Sequence, residues 1–162
     1  MSLPDQTGRF PFHLQRGYKY IMVVMEININ SVLVAPMKNR TNATMKRAYL
    51  QLLNRIKGVG FAPKRHVLDN EISYSMKSLI NSNCQLELVP PHCHRRNVAE
   101  VAIKAFKKHF IGILAGVTTD FPKSQWERLL LQAELTLNIL CQANTTSKVS
   151  ALAYLFVPFN YN

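Results

Sequence analysis

Two neighbouring runs of β-forming residues, apolar at consecutive positions, constrain the fold of this chain more than any other feature. Residues 19–26 read KYIMVVME, residues 31–35 read SVLVA, and the intervening ININ suits a hairpin turn. A strand with one face in water alternates apolar and polar residues, and these runs do not. They predict a hairpin that is covered on both faces, as in a sheet with helices on either side.

The rest of the pattern supplies elements that would cover such a sheet. Apolar residues at spacings of three and four predict four helices, over residues 43–58, 72–80, 97–116 and 122–141. Short β-rich runs at residues 64–69 and 85–89 add two strands. This order favours one mixed sheet with helices on its faces, an α/β fold.

The net charge of the chain indicates which class of partner it binds. The 162 residues carry 20 Lys and Arg against 9 Asp and Glu, a formal charge of +11, which favours a polyanion. Nucleic acid is the first candidate and an anionic membrane the second. No apolar stretch reaches the roughly 20 residues of a membrane span, and no helix pairs a lysine-rich face with spare apolar surface. We therefore predict an intracellular nucleic-acid-binding protein without a membrane partner.

Carboxylates are scarce in this basic chain, so their positions are informative. Asp5 stands near the first candidate strand, Asp69 at the end of a later strand, and Glu100 in the first turns of a helix. Phosphoryl-transfer enzymes often hold two Mg²⁺ or Mn²⁺ ions with such hard oxygen ligands. Spacing alone leaves other roles open: Asp69 as a turn former, and Glu100 as an acid that favours a helix start.

Basic residues surround the predicted helix that carries Glu100. Lys104 and Lys107 follow at steps of four and seven residues, so they share its helical face. Arg95 and Arg96 come just before the helix. Such a face suits a phosphate backbone, and a solvated basic face is the alternative.

A zinc site is not favoured. Cys84, His92, Cys93 and His94 are potential ligands, but adjacent side chains diverge and no second ligand pair is present. The sequence contains neither a glycine-rich phosphate loop nor a recognisable Ser, His and Asp arrangement.

Several segments together resemble a known family. They read DQTGRFP, RGYKYIMVV, PMKNRT, LDNE, VPPHCHRRNVAEVAIKAFKKHF, FPKSQWERLLLQAELTLN and PFNYN, and they run along nearly the whole chain. The chain resembles the integrase catalytic core of copia-type retrotransposon polyproteins, in the retroviral integrase superfamily with its RNase H-like fold.

The resemblance implies a five-stranded mixed sheet with helices on both faces. It implies that Asp5, Asp69 and Glu100 form the catalytic, metal-binding triad, with Mg²⁺ or Mn²⁺ as cofactor. The implied reaction is two-metal chemistry on DNA phosphodiesters: 3′-end processing, then strand transfer of an element end into target DNA. The implied DNA contacts are Arg95, Arg96, Asn97, Lys104 and Lys107.

The resemblance also implies a domain organisation, and two alternative functions stay open beside it. Residues 1–142 would be the catalytic core and residues 143–162 a truncated C-terminal tail, so that the chain looks like a fragment. An active core would be nuclear and homo-oligomeric. One alternative is a non-catalytic remnant of the same fold that binds nucleic acid through its charge; another is a host RNase H-type nuclease. Metal dependence separates the remnant from an active core.

Overall fold

The computed structural model describes residues 16–68, 73–88 and 98–156. Its elements, in chain order, are β1 (Tyr20–Glu26), β2 (Ser31–Met37), α1 (Asn42–Gly58), β3 (Arg65–Leu68), α2 (Tyr74–Asn81), β4 (Gln85–Leu88), α3 (Val98–Gly116), a short 3-10 turn (Lys123–Gln125), α4 (Arg128–Leu140), β5 (Gln142–Ala143), β6 (Thr146–Ser150) and α5 (Ala151–Phe156). No helix within these ranges has the length and apolar character needed to cross a membrane.

The predicted hairpin is confirmed. β1 and β2 pair antiparallel, from Tyr20 opposite Met37 to Glu26 opposite Ser31. Asn30 closes the turn with a φ of 60°, a conformation that asparagine tolerates better than most residues. β2 is two residues longer than predicted, because Pro36 and Met37 continue the pairing.

Helices cover this hairpin on both faces, also as predicted. Met22 and Val24 point into a core shared with α1 and α2, whereas Ile21 and Val23 point into a second core shared with α3 and α4. Successive side chains of a strand alternate between faces, so a strand between two apolar layers needs apolar residues throughout. This explains the run IMVV.

The five-stranded sheet is not seen in the described ranges. Their strands form three two-stranded ladders, β1 with β2, the parallel pair β3 with β4, and β5 with β6. The five-strand sheet of the resemblance also requires a first strand that carries Asp5, and that residue lies outside the described residues.

The last long helix begins later than predicted. Pro122 was expected in its first turn, but residues 123–125 form a separate 3-10 turn and α4 starts at Arg128. Between the two, Trp126 is fully buried and meets Phe110 edge to face, with 5.9 Å between ring centroids. Burial of this indole fixes the chain there, because aromatic pairs of this geometry add to the apolar area buried.

Residues after α4 form elements that the sequence analysis did not predict. β5 and β6 make a small hairpin, and α5 packs Ala151 and Leu155 against Ile29 in the turn between β1 and β2. Asn144 donates to the carbonyl of Ile27 at 2.6 Å. The described part of the predicted tail thus lies against the first hairpin, and the division of the chain at residue 142 stays a prediction.

Candidate active site

α3 carries the one residue of the predicted triad that the structure describes. The helix buries Ala102, Ile103, Phe106 and Phe110 against the β1 and α4 side of the core. Glu100 lies in its first turn, half-buried, beside this apolar stripe. An acid in the first turn also interacts favourably with the helix dipole.

The face of α3 beside Glu100 is basic and open. Lys104 and Lys108 are exposed and Lys107 is half-buried. None of these lysines forms an ion pair with any residue in the described ranges, and neither does Glu100. Glu100, Lys104 and Lys107 all belong to the continuous helix α3, whose periodicity sets them on one side, and we call that side the α3 face.

The other predicted site residues lie outside the described residues. They are Asp5, Asp69, Arg95, Arg96 and Asn97, together with the rejected zinc ligands His92, Cys93 and His94. Within the described residues, no group of three or more His, Cys, Asp or Glu side chains is arranged to hold a metal ion. The grouping of Asp5 and Asp69 with Glu100 stays a prediction.

Two polar residues of α4 form hydrogen bonds along the free side of β2, the edge that pairs with no other strand in the described ranges. The sequence analysis assigned these two residues no role. Asn138 accepts from the backbone N–H of Val32 at 2.8 Å and donates to the carbonyl of the same residue at 2.8 Å. Glu134 accepts from the N–H of Val34 at 2.8 Å. These bonds satisfy buried backbone groups of a strand that pairs only with β1 in the described ranges.

Arg55 of α1 completes this arrangement. Its guanidinium donates to both carboxylate oxygens of Glu134, whose side chain is only 7% exposed. The pair joins helices from opposite faces of the hairpin at the free side of β2. A second link, between His109 and Thr136 at 2.7 Å, joins α3 to α4. Together these contacts fix α4, and α4 supports α3 and its basic face.

The sequence contains a signal for Glu134 and Asn138 that can be stated in retrospect. They are the two polar residues among the otherwise apolar buried residues of α4, and their separation of four positions sets them on one face, one turn apart. Buried polar groups are nearly always hydrogen-bonded. Such a pair therefore indicates a polar partner within the core, here an unpaired strand.

A buried histidine lies in β3, the strand that leads towards Asp69 in the sequence. His66 is fully buried, and its Nδ1 lies 3.2 Å from the hydroxyl of Tyr49 and 3.6 Å from the sulfur of Cys84. Burial lowers the pKa of His66 to about 3 and raises the pKa values of Tyr49 and Cys84. His66 is therefore a neutral core residue at neutral pH.

This histidine predicts loss of stability in mild acid. Unfolded histidine protonates near pH 6.5 and folded His66 only near pH 3, so between these values the unfolded state binds more protons and stability falls as pH falls. From pH 7.5 to 5.5, His66 should remove about 1 kcal/mol from the free energy of unfolding. Denaturant titrations of wild type and His66→Phe at both pH values measure it.

The variant should lose that much less stability over this pH interval than wild type. Tyr49→Phe is the matched control, because it removes the hydroxyl partner and keeps the buried imidazole. Equal losses in wild type and His66→Phe would contradict the assignment.

Comparisons with known proteins give a fold and no closer relationship. No protein-family model and no curated protein sequence matches this chain. Solved structures do match. The catalytic core domain of bovine immunodeficiency virus (BIV) integrase aligns with 95% of this chain and 91% of its own, at 16% identity and a TM-score of 0.64.

Two further solved structures also match the fold of this chain. The catalytic core domain of human T-cell lymphotropic virus 2 (HTLV-2) integrase, in complex with magnesium in a trimeric form, covers 96% of this chain and 93% of its own, at 18% identity and a TM-score of 0.67. The cryo-EM structure of the simian T-cell lymphotropic virus intasome with PP2A regulatory subunit B56 gamma contains a chain that matches 99% of this one, at 16% identity and a TM-score of 0.70. This chain spans 55% of that one.

Proposed function

We propose that this chain, which has the α/β fold of retroviral integrase catalytic cores, is the core of a copia-type retrotransposon integrase. It acts on DNA phosphodiesters by 3′-end processing and strand transfer, with Mg²⁺ or Mn²⁺ as cofactor. The observation that carries the proposal is the α3 face, with Glu100 in the first turn and Lys104 and Lys107 along the same side. The fold supports the proposal, as does the resemblance of the sequence segments around Asp5, Asp69 and Glu100 to copia-type integrase cores.

The donor set fits such an ion. Asp5, Asp69 and Glu100 supply only carboxylate oxygens, the hard ligands that Mg²⁺ and Mn²⁺ prefer. The carboxylate of Glu100 has no hydrogen bond or ion pair to another described residue, so it is available to a ligand. When bound, the ions stabilise charge on the attacking and leaving oxygens of a phosphodiester.

The protein side chains bind and orient the DNA in this proposal. Lys104 and Lys107 contact backbone phosphates beside Glu100, where their charge offsets repulsion between the carboxylates and the DNA. Arg95, Arg96 and Asn97 contact the DNA before the start of α3. The active form is a nuclear homo-oligomer on paired DNA ends.

Metal binding tests the proposal without requiring turnover. We expect the wild-type chain to bind Mn²⁺ saturably in a water-proton relaxation titration, and Glu100→Gln to bind it at least about tenfold more weakly. Glu87→Gln is the matched control, because Glu87 is exposed on β4 and pairs with Arg65 at 3.0 Å. Equal affinity in wild type and Glu100→Gln would contradict the triad. A wild type that binds DNA and no Mn²⁺ would support the non-catalytic remnant.

A further inference from the structure

We propose that the corner where β2 meets α1 binds the phosphate backbone of a nucleic-acid strand, at a surface separate from the α3 face. A cavity of about 300 Å³ lies there, and its polar lining comes from Tyr18, Lys38, Thr44, Arg47 and Gln51. We call it the corner site. Two cations, a hydroxyl, an amide and an aromatic ring surround one space.

The charge of the surrounding segment favours an anion. Residues 16–68 contain five lysines and five arginines against one acid, Glu26, at the far end of β1. Lys38 and Arg47 are exposed, and within the described ranges neither forms a salt bridge. Arg16, Arg55 and Arg65, by contrast, pair with glutamates. The cations of the corner site are thus uncompensated.

Aromatic rings contact two cations in this region, Lys38 of the corner site and Arg40, which follows it in the chain. The ammonium of Lys38 lies 5.9 Å from the ring centroid of Tyr18, and the guanidinium of Arg40 lies 4.8 Å from that of Tyr20. Contact with a ring face restrains a flexible cationic side chain at the protein surface. Rings interleaved with cations are typical of surfaces that bind single-stranded or unpaired nucleic acid, where a base stacks while a phosphate is held.

The start of α1 adds to the anionic preference. The helix begins at Asn42, with Thr41 as its N-cap, and has no acidic residue in its first turn. Its positive end is therefore not neutralised by a side chain of that turn. Thr44, in that turn, lines the corner site.

The corner site and the α3 face lie in different layers. α1 covers one face of the β1 and β2 hairpin, and α3 covers the other. A phosphate at Lys38 and Arg47 is thus a different contact from one at Lys104 and Lys107. The chain then has two separate surfaces for nucleic acid, and the choice of nucleic acid as the ligand rests on the proposed function.

Salt dependence of DNA affinity tests this inference. We expect the double variant Lys38→Ala/Arg47→Ala to bind a fluorescent DNA oligonucleotide roughly tenfold more weakly, with EDTA present throughout. The slope of log affinity against log salt should become shallower by about two, one for each lost phosphate contact. The matched control Lys57→Ala/Lys148→Ala removes two exposed charges elsewhere and should change the slope by less than half as much.

The possible results distinguish failure of the corner-site inference from failure of the proposed catalytic function. Lys104→Ala/Lys107→Ala should also flatten the slope, and its effect should add to that of the corner variant. A corner variant with the slope of wild type, or of the control, would overturn the inference. Stabilisation of wild type by inorganic phosphate through Lys38 and Arg47, with unchanged DNA affinity in the double variant, would assign the site to free phosphate and also overturn it. Failure of Mn²⁺ binding would reject the catalytic proposal and leave this result standing.

Discussion

Replacing Glu134 by alanine is expected to lower the free energy of unfolding by about 3 kcal/mol. The change removes the acceptor of the Val34 N–H and leaves the guanidinium of Arg55 without its carboxylate. Breaking a buried ion pair from one side costs about 3–5 kcal/mol. The side chain of Arg55 is 31% exposed, which places the expected value at the lower end. Denaturant unfolding at neutral pH measures it.

A matched control comes from the same residue type on the surface. Glu87 pairs with Arg65 across β3 and β4, where the side chains are 51% and 65% exposed. Glu87→Ala should cost less than about 1 kcal/mol, as exposed ion pairs do. Glu134→Gln retains an oxygen for Val34 and should fall between the two. A Glu134→Ala variant as stable as Glu87→Ala would show that the bonds of Glu134 to Val34 and Arg55 contribute no more to stability than an exposed ion pair does.

Asp69→Asn and Glu100→Gln are each expected to reduce the rate of strand transfer by about a thousandfold. Loss of a metal ligand removes several kcal/mol of charge stabilisation in the transition state, and 1.36 kcal/mol corresponds to a factor of ten in rate. Each substitution is nearly isosteric, so folding should be preserved. The measurement is product formation from a labelled duplex with Mn²⁺.

DNA binding provides the internal control for these variants. Neither substitution removes a cation, so DNA affinity should stay within about twofold of wild type or rise, since a negative charge near the phosphates is lost. Glu87→Gln should retain full activity, and highly purified preparations exclude a contaminating nuclease. The same product level in wild type and both variants would contradict the proposed triad.

The sequence predicts the central layers of this fold well, because a strand that is buried on both faces is apolar at consecutive positions. The run IMVV fits a strand that alternates between two apolar cores, and the structure places Ile21 and Val23 in one and Met22 and Val24 in the other. Boundaries are less certain. Pro122 suits the first turn of a helix, yet α4 begins only at Arg128, after the buried side chain of Trp126.

Contacts between distant residues are what the sequence does not predict. Glu134 and Val34 are 100 positions apart. The buried polar pair of Glu134 and Asn138 indicates that a polar partner exists, but nothing local to the pair identifies β2 as that partner. The corner site likewise joins Tyr18 to Arg47 through the pairing of β1 with β2. The α3 face was predictable, because helical periodicity alone sets Glu100, Lys104 and Lys107 on one side.

Strand transfer by the wild-type chain on a labelled DNA duplex, with Mn²⁺ and with EDTA, tests the proposed catalytic function. We expect products longer than the substrate strand, formed with Mn²⁺, abolished by EDTA and absent from Asp69→Asn and Glu100→Gln. Wild-type chain that binds both Mn²⁺ and DNA but yields no product, or product that persists in EDTA, would contradict that function.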